Sequence, residues 1–323
     1  MKYLNPKADL TFKRVFGEHP DLIISFLNAL LPFEKPEEEI ADVVEYLNPE
    51  LVPLNPLRKD SIVDVRCRDK QGRQFIVEMQ MMWTPDYKQR VLFNASKAYV
   101  SQLEIGANYD KLQQVYSLNL VNDTFSKGPE YYHDYKIVET KDTREIIEGL
   151  RFIFIELPKF TPHNYGDKKM QVLWLRYLTE INEKTDEIPE ALLESPEIKK
   201  AVAQLRESAF TEAQLLGYEE FWDVVSTLKM QLSSSRKEGL RRGREEGLRQ
   251  GIEQGRKEGL RQGREQGRAE GIEQGREQGL RQGIEKGRNE ERIKNARAMK
   301  EKGIPDEVVA EITGLPAAMI ATL

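Results

Sequence analysis

The chain is poor in the residues that build disulfides and zinc sites. Cys67 is its single cysteine, so no internal disulfide can form, and a reducing, cytoplasmic setting is expected. The three histidines, His19, His133 and His163, are scattered, and no Cys/His zinc spacing exists. No apolar run approaches the roughly 18 residues of a membrane span. The opening stretch, MKYLNPKADLTFKRVF, lacks the apolar segment of a secretion signal. A one-sided charge is missing too: 49 Lys and Arg against 54 Asp and Glu leave −5. That balance gives no global electrostatic case for nucleic acid, so any such case must be local. The expectation is a soluble cytoplasmic protein with no membrane partner.

What is present falls into two kinds of sequence. The 323 residues suggest about two domains, and composition changes sharply near residue 236. Before that point the chain looks globular. DLTFKRVFG and PDLIISFLNALL predict two helices, with Gly17 and Pro20 between them. Residues 33–60, rich in proline and acid, predict a loop with one short strand. SIVDVRCRD (61–69) and RQFIVEMQMM (73–82) predict strands joined by a turn at Gly72. DYKQRVLFNASKAYVSQL (86–103) has helical periodicity and stops before Gly106. QQVYSLNLV (113–121) and LRFIFIEL (150–157) predict further strands. Helix, two strands, helix, strand is the order of a mixed α/β domain with a central sheet. Residues 166–235 are strand-poor, with apolar residues recurring at three and four, and predict a helical subdomain.

One stretch carries chemistry. FIVEMQMM (75–82) is almost wholly apolar, yet Glu78 and Gln80 interrupt it on one face of the strand. Burying them costs several kcal/mol unless something satisfies them. Asp64, on the preceding strand with Ile62 and Arg66, converges on the same patch if the two strands form a hairpin. Two carboxylates and a neutral oxygen donor make a hard-oxygen site suited to Mg²⁺ or Mn²⁺. Such an ion polarises a phosphate and lowers the pKa of bound water, as phosphodiester hydrolysis requires. The alternative is a solvated hairpin face with ordinary surface acids. On the next helix, Arg90, Asn94 and Lys97 share a face. They form a solvated polar face, or Arg90 or Lys97 reaches a phosphate.

Several linked motifs carry a resemblance. NPKADLTFKRVFG, KDSIVDVRCRDKQGRQFIVEMQ, QRVLFNASKAYVSQL and IFIELPKF together resemble the Rpn family of recombination-promoting nucleases, transposase-like members of the PD-(D/E)XK nuclease superfamily. The resemblance covers residues 1–165 well, and the helical region and polar tail are similar in kind. It implies a restriction-endonuclease-like α/β fold, with a mixed central sheet flanked by helices. It implies a Mg²⁺-dependent DNA endonuclease (Mn²⁺ as an alternative) that promotes recombination. Asp64 and Glu78 fall on the metal-ligating acids, and the Met79 carbonyl on a further ligand. Gln80 falls on the superfamily's lysine; it can hold a water but supplies no charge, although the Rpn-like pattern also carries glutamine there. The missing charge would come from Arg90 or Lys97. The alternative is a catalytically inactive DNA-binding or oligomeric scaffold on the same fold. In the opening motif, Phe12 and Phe16 are expected in the core, and Asp9 with Lys13 as a helix-surface pair. Tyr99 is expected as a packed aromatic.

From Gly239 to Gly287 glycine recurs every fourth residue, 13 times. Each glycine in a helix costs about 1 kcal/mol relative to alanine, yet the residues between are helix-compatible. At 100° per residue the glycine line drifts about 40° per tetrad, so it spirals and makes no straight two-helix seam. The expectation is an extended, marginally helical spacer over 236–288, with self-association as the second option. Between Gly239 and Arg288, 13 basic residues against 9 glutamates leave +4; without aromatics this supports nucleic-acid contact poorly. Residues 289–323 predict a helical cap resembling a helix-turn-helix, with Gly314 in the turn. Its last residues, PAAMIATL, lack side chains for base edges, which favours docking or dimerisation over sequence reading.

Overall fold

Two amphipathic helices open the fold: α1 (Asp9–Gly17) and α2 (Pro20–Leu30). Phe12, Val15 and Phe16 on α1, and Leu22, Ile23, Phe26 and Leu27 on α2, recur at helical spacing and are fully buried. Residues 2–51, 61–104, 106–162 and 169–323 are described in this computed structural model. Residues 52–60 of the predicted loop, His163 and the expected boundary at 165/166 lie outside the described residues.

The strands follow as β1 (Val43–Tyr46), β2 (Glu50–Leu51), β3 (Ser61–Ile62), β4 (Val65–Asp69) and β5 (Gln74–Gln80). Then come α3 (Tyr87–Val100), β6 (Val115–Val121), β7 (Tyr132–Val138) and β8 (Ile146–Glu156). Six strands form one sheet in the order β1-β4-β5-β6-β8-β7, while β2 and β3 pair separately. The central β5, β6 and β8 are parallel and the outer pairs antiparallel, so the sheet is mixed. Helix α3 is the crossover between parallel β5 and β6. The central strands are apolar on both faces, as helix-covered parallel strands must be; all seven residues of β6 are buried.

Three strand expectations change. Residues 33–60, expected to carry one short strand, hold two among the described residues, β1 and β2. Residues 61–69 are not one strand: the chain breaks at Val63–Asp64 between β3 and β4. Val63 N–H instead donates to the Pro49 carbonyl at 3.1 Å, and the Asp64 carboxylate replaces a ladder acceptor, as described below. Strand β7 has no apolar alternation to announce it, because it is an edge strand with mostly exposed side chains, paired only to β8. Gly149, at φ +136°, lies against Tyr99, where an added Cβ would meet the ring at 3.0–3.1 Å. Tyr99 is thus a packed aromatic, as expected.

Helices α4 (Lys169–Glu180), α5 (Glu190–Leu193) and α6 (Pro196–Gln204) share a core with α1 and α2. Trp174 of α4 packs against Phe16 and Phe26, each at 5.4 Å between ring centroids. Helix α7 (Glu212–Glu301) then carries the glycine repeat.

The chain divides into two compact units, Met1–Ser233 and Ser234–Leu323. In the second, the glycine tetrads are helical and exposed, and a Cβ added at any of them would meet nothing within 4 Å. The tail forms α8 (Asp306–Thr313) and α9 (Ala317–Thr322), which close a small core of Ala296, Val309, Leu315 and Ile320. Gly314 adopts the left-handed conformation at φ +61° that ends α8. Among the described residues no helix is long and apolar enough to cross a membrane.

Candidate active site

Strand β5 delivers Glu78 into the middle of the sheet, beside Asn119 of β6. Its carboxyl is buried and has two close polar neighbours. Asn94 Nδ2 of α3 donates to Glu78 Oε1 at 3.1 Å. Arg90 Nη2, one turn earlier, lies 3.8 Å from Glu78 Oε2. Asp64 arrives from the break before β4. With Val65 opposite Val77, a continued ladder would set Val63 against Met79. Instead, the Met79 N–H donates to Asp64 Oδ2 at 2.7 Å. The strand break is therefore what turns the Asp64 side chain back onto β5.

Both acids are held above their usual range. Burial pushes Asp64 up to about 6, opposed by the Met79 N–H, with Asp9 adding to the rise. Burial pushes Glu78 up to about 7, and the neighbouring Asp64 charge adds to it. Two adjacent carboxylates in a low-dielectric site disfavour each other's charge. A divalent cation reverses both effects, so this pair fits one. Asn94 points the same way. It is 2% exposed, and its Oδ1 has no hydrogen-bond partner among the described residues. This oxygen is open to a donor or a cation from outside the chain.

Gln80 is committed at both ends. Its Oε1 accepts from Arg90 Nη2, and its Nε2 donates to the Met82 carbonyl at 2.6 Å. Arginine only donates and a carbonyl only accepts, so these two partners fix the amide orientation. Here Gln80 steers Arg90. The Arg90 guanidinium also covers the Tyr87 ring at 4.7 Å, yet its side chain stays 44% exposed and can meet a ligand. Lys97 is placed elsewhere: one turn beyond Asn94, its Nζ donates to the Leu51 carbonyl at 2.6 Å.

Of the expected site residues, the fold thus gathers Asp64, Glu78, Met79, Gln80 and Arg90, and ties Lys97 to β2. Asp9 and Lys13 do form the expected pair, at 2.7 Å. They also act electrostatically on Asp64, which the sequence did not indicate. The available signal was their place in the opening motif. Both line a cavity of about 590 Å³ between α1 and the first turns of α7. Among the described residues no group of three or more His, Cys, Asp or Glu side chains could hold a metal. A cation at this pair would be held by two carboxylates supplemented by neutral oxygens.

Comparison with curated proteins and with solved structures gives no match. One family model does match, described as PD-(D/E)XK nuclease family transposase, over residues 6–234. That span takes in the six-stranded sheet, the carboxylate pair and the helices packed behind them. It supports a nuclease-like function, with DNA as the implied substrate. The chain belongs to the PD-(D/E)XK nuclease family transposases.

Proposed function

We propose that the protein is a divalent-metal-dependent DNA endonuclease that hydrolyses phosphodiester bonds. The observation that supports this best is the buried pair Asp64 and Glu78, both above the usual carboxylate range, with an unsatisfied Asn94 oxygen in contact with Glu78 through the same amide. The two carboxylates, with the Met79 carbonyl, would hold Mg²⁺ or Mn²⁺. A hard cation there supplies Lewis-acid polarisation of the phosphate and a more acidic water.

The chain's own residues do the rest. Asn94 keeps one Glu78 oxygen engaged and so fixes the direction of the other. The Met79 N–H does the same for Asp64. Gln80 and the Tyr87 ring hold Arg90 at the mouth of the site, where its charge is available to a phosphate. That arrangement answers the missing lysine: glutamine supplies position and arginine supplies charge, worth about 10²–10³ in rate where it meets developing negative charge. Lys13 of α1 is a second cation at the Asp64 side. We further propose, from the family's transposase description, that cleavage serves DNA recombination.

Plasmid nicking tests the proposal, using wild type and Glu78→Ala with Mg²⁺, Mn²⁺, Ca²⁺ and EDTA. Nicking by wild type with Mg²⁺ or Mn²⁺, lost in EDTA and in the variant, is the expected result. DNA binding without nicking under any of these conditions would instead identify a catalytically inactive DNA-binding protein.

A further inference from the structure

Beside the candidate active site stands a cluster of aromatic rings that the proposed chemistry does not use. The site's own row runs across the sheet from Glu78 through Asn119 and Phe154 to His133. At the far end of that row, Trp83 stacks on Phe125 at 4.2 Å and 21°. Tyr135 of edge strand β7, 39% exposed, meets Phe154 edge-on at 5.6 Å. Above them sits the Lys88 ammonium, 5.1 Å from the Phe125 ring and 4.6 Å from the Tyr135 ring. Its Nζ donates to the Tyr135 hydroxyl at 2.8 Å. Lys88 precedes Arg90 by two residues, or about 200° around the helix. The first turns of α3 thus carry one cation toward the carboxylates and another toward the rings.

The cluster is held rigid from below. The Trp83 N–H donates to Asp123 Oδ2 at 3.0 Å. The Phe125 N–H donates to Glu156 Oε2 at 2.8 Å. Glu156 is fully buried and also binds Ser126, His133 and Lys159. His133 packs against Phe125 at 5.1 Å between ring centroids, tilted by 49°. Tyr135 is exposed, and Trp83 and Phe125 are half-buried beside it. Rings fixed this firmly at the surface, with a cation over them, have the parts of a stacking platform for a base and its phosphate. Bases inside a duplex are stacked on both faces, so along a strand it is an unpaired base that has a free face and can turn its backbone toward the cation.

We infer that Trp83, Phe125 and Tyr135, with Lys88, form a subsite for an unpaired DNA nucleotide next to the scissile phosphate, Lys88 pairing with its backbone. The inference rests on the proposed nuclease function and adds a substrate class to it: DNA with single-stranded character at the cut.

The test is fluorescence anisotropy with Ca²⁺ in place of Mg²⁺. The probes are a blunt duplex and the same duplex with a single-stranded overhang. Wild type is expected to prefer the overhang. Trp83→Ala and Tyr135→Ala should each weaken overhang binding by about tenfold and leave blunt-duplex binding unchanged. Tyr135→Phe keeps the ring and should keep the preference. Lys88→Met should reduce the slope of log affinity against log salt by about one. Thermal melting of each variant shows whether it folds, and the exposed position of Tyr135 keeps that arm usable if Trp83→Ala does not. Equal wild-type affinity for both probes, or an overhang preference that survives both ring-to-alanine changes, overturns the subsite. If wild type still nicks plasmid in either case, the nuclease function stands alone. If it neither binds nor nicks DNA, both fall.

Discussion

Two glutamates on the same face of the sheet make opposite use of burial. Glu156, at the end of β8, is fully buried and receives hydrogen bonds from Phe125 N–H, Ser126 Oγ, His133 and Lys159. Burial alone would raise its pKa, but these donors overcome it and hold the carboxyl down at about 2. Glu78, two strands away, is almost as buried, with one amide donor and a guanidinium at 3.8 Å. Burial wins there, and the carboxyl rises to about 7. A buried carboxylate that is fully satisfied inside the chain is structural. One left short of partners beside a second acid is, on the proposed function, the one a ligand completes. Exclusion from solvent does not by itself separate the two; the donors that reach Glu156 and the second acid beside Glu78 push them in opposite directions.

The comparison can be broken most sharply at the acids. Asp64→Ala and Glu78→Ala should each lower divalent-dependent nicking by at least about a thousandfold, on the scale of losing an essential site group. Either variant cleaving at the wild-type rate removes the site. Glu156→Gln should leave the acids alone and cost stability instead, by about 3–5 kcal/mol, since it breaks a buried charged network. Denaturant unfolding near neutral pH measures it.

Arg90→Met should slow nicking by about a hundredfold with the fold intact, while Lys97→Ala should not. Equal losses for the two would mean that Gln80 does not select Arg90.

A smaller effect carries the opposite sign and separates the glutamates by pH. The folded-state values of Asp64 and Glu78, about 6 and about 7, lie above the ordinary 3.8 and 4.5. Their contribution to metal-free stability is therefore present below about pH 4 and lost as pH rises through 7. Glu156 lies below its ordinary 4.5, so its contribution is present above pH 4.5 and lost as pH falls toward 2. Glu78→Gln should accordingly raise the metal-free melting temperature at pH 8 by several degrees. Mg²⁺ should stabilise wild type there and not the variant. The smallest change is expected in the repeat. A single tetrad glycine changed to alanine, such as Gly263→Ala, should gain about 1 kcal/mol of local helix stability by circular dichroism and leave nicking unchanged.

The long periodic elements were legible in the sequence because their signals are local. The α1 and α2 patterns, the apolar β5 and β6 and the α3 periodicity all reappear with shifts of a few residues. Edge strand β7 was not legible, since an exposed strand buries too little to impose alternation. Asp64 and Glu78 were legible as residue types out of place in apolar runs. The break that aims Asp64 at Met79 was not, because it depends on a backbone N–H supplied by another strand. The role of Gln80 was half legible: its lack of charge was evident, its grip on Arg90 was not.

By itself, then, the sequence determined the strongly periodic helices and strands and which acids are costly to bury, through periodicity and desolvation. Only the tertiary structure decided which buried carboxylate is complete and which is left open. Hydrogen-bond donors reach Glu156 from three separate places in the chain, 125–126, 133 and 159, and no spacing along one strand reports how many will arrive.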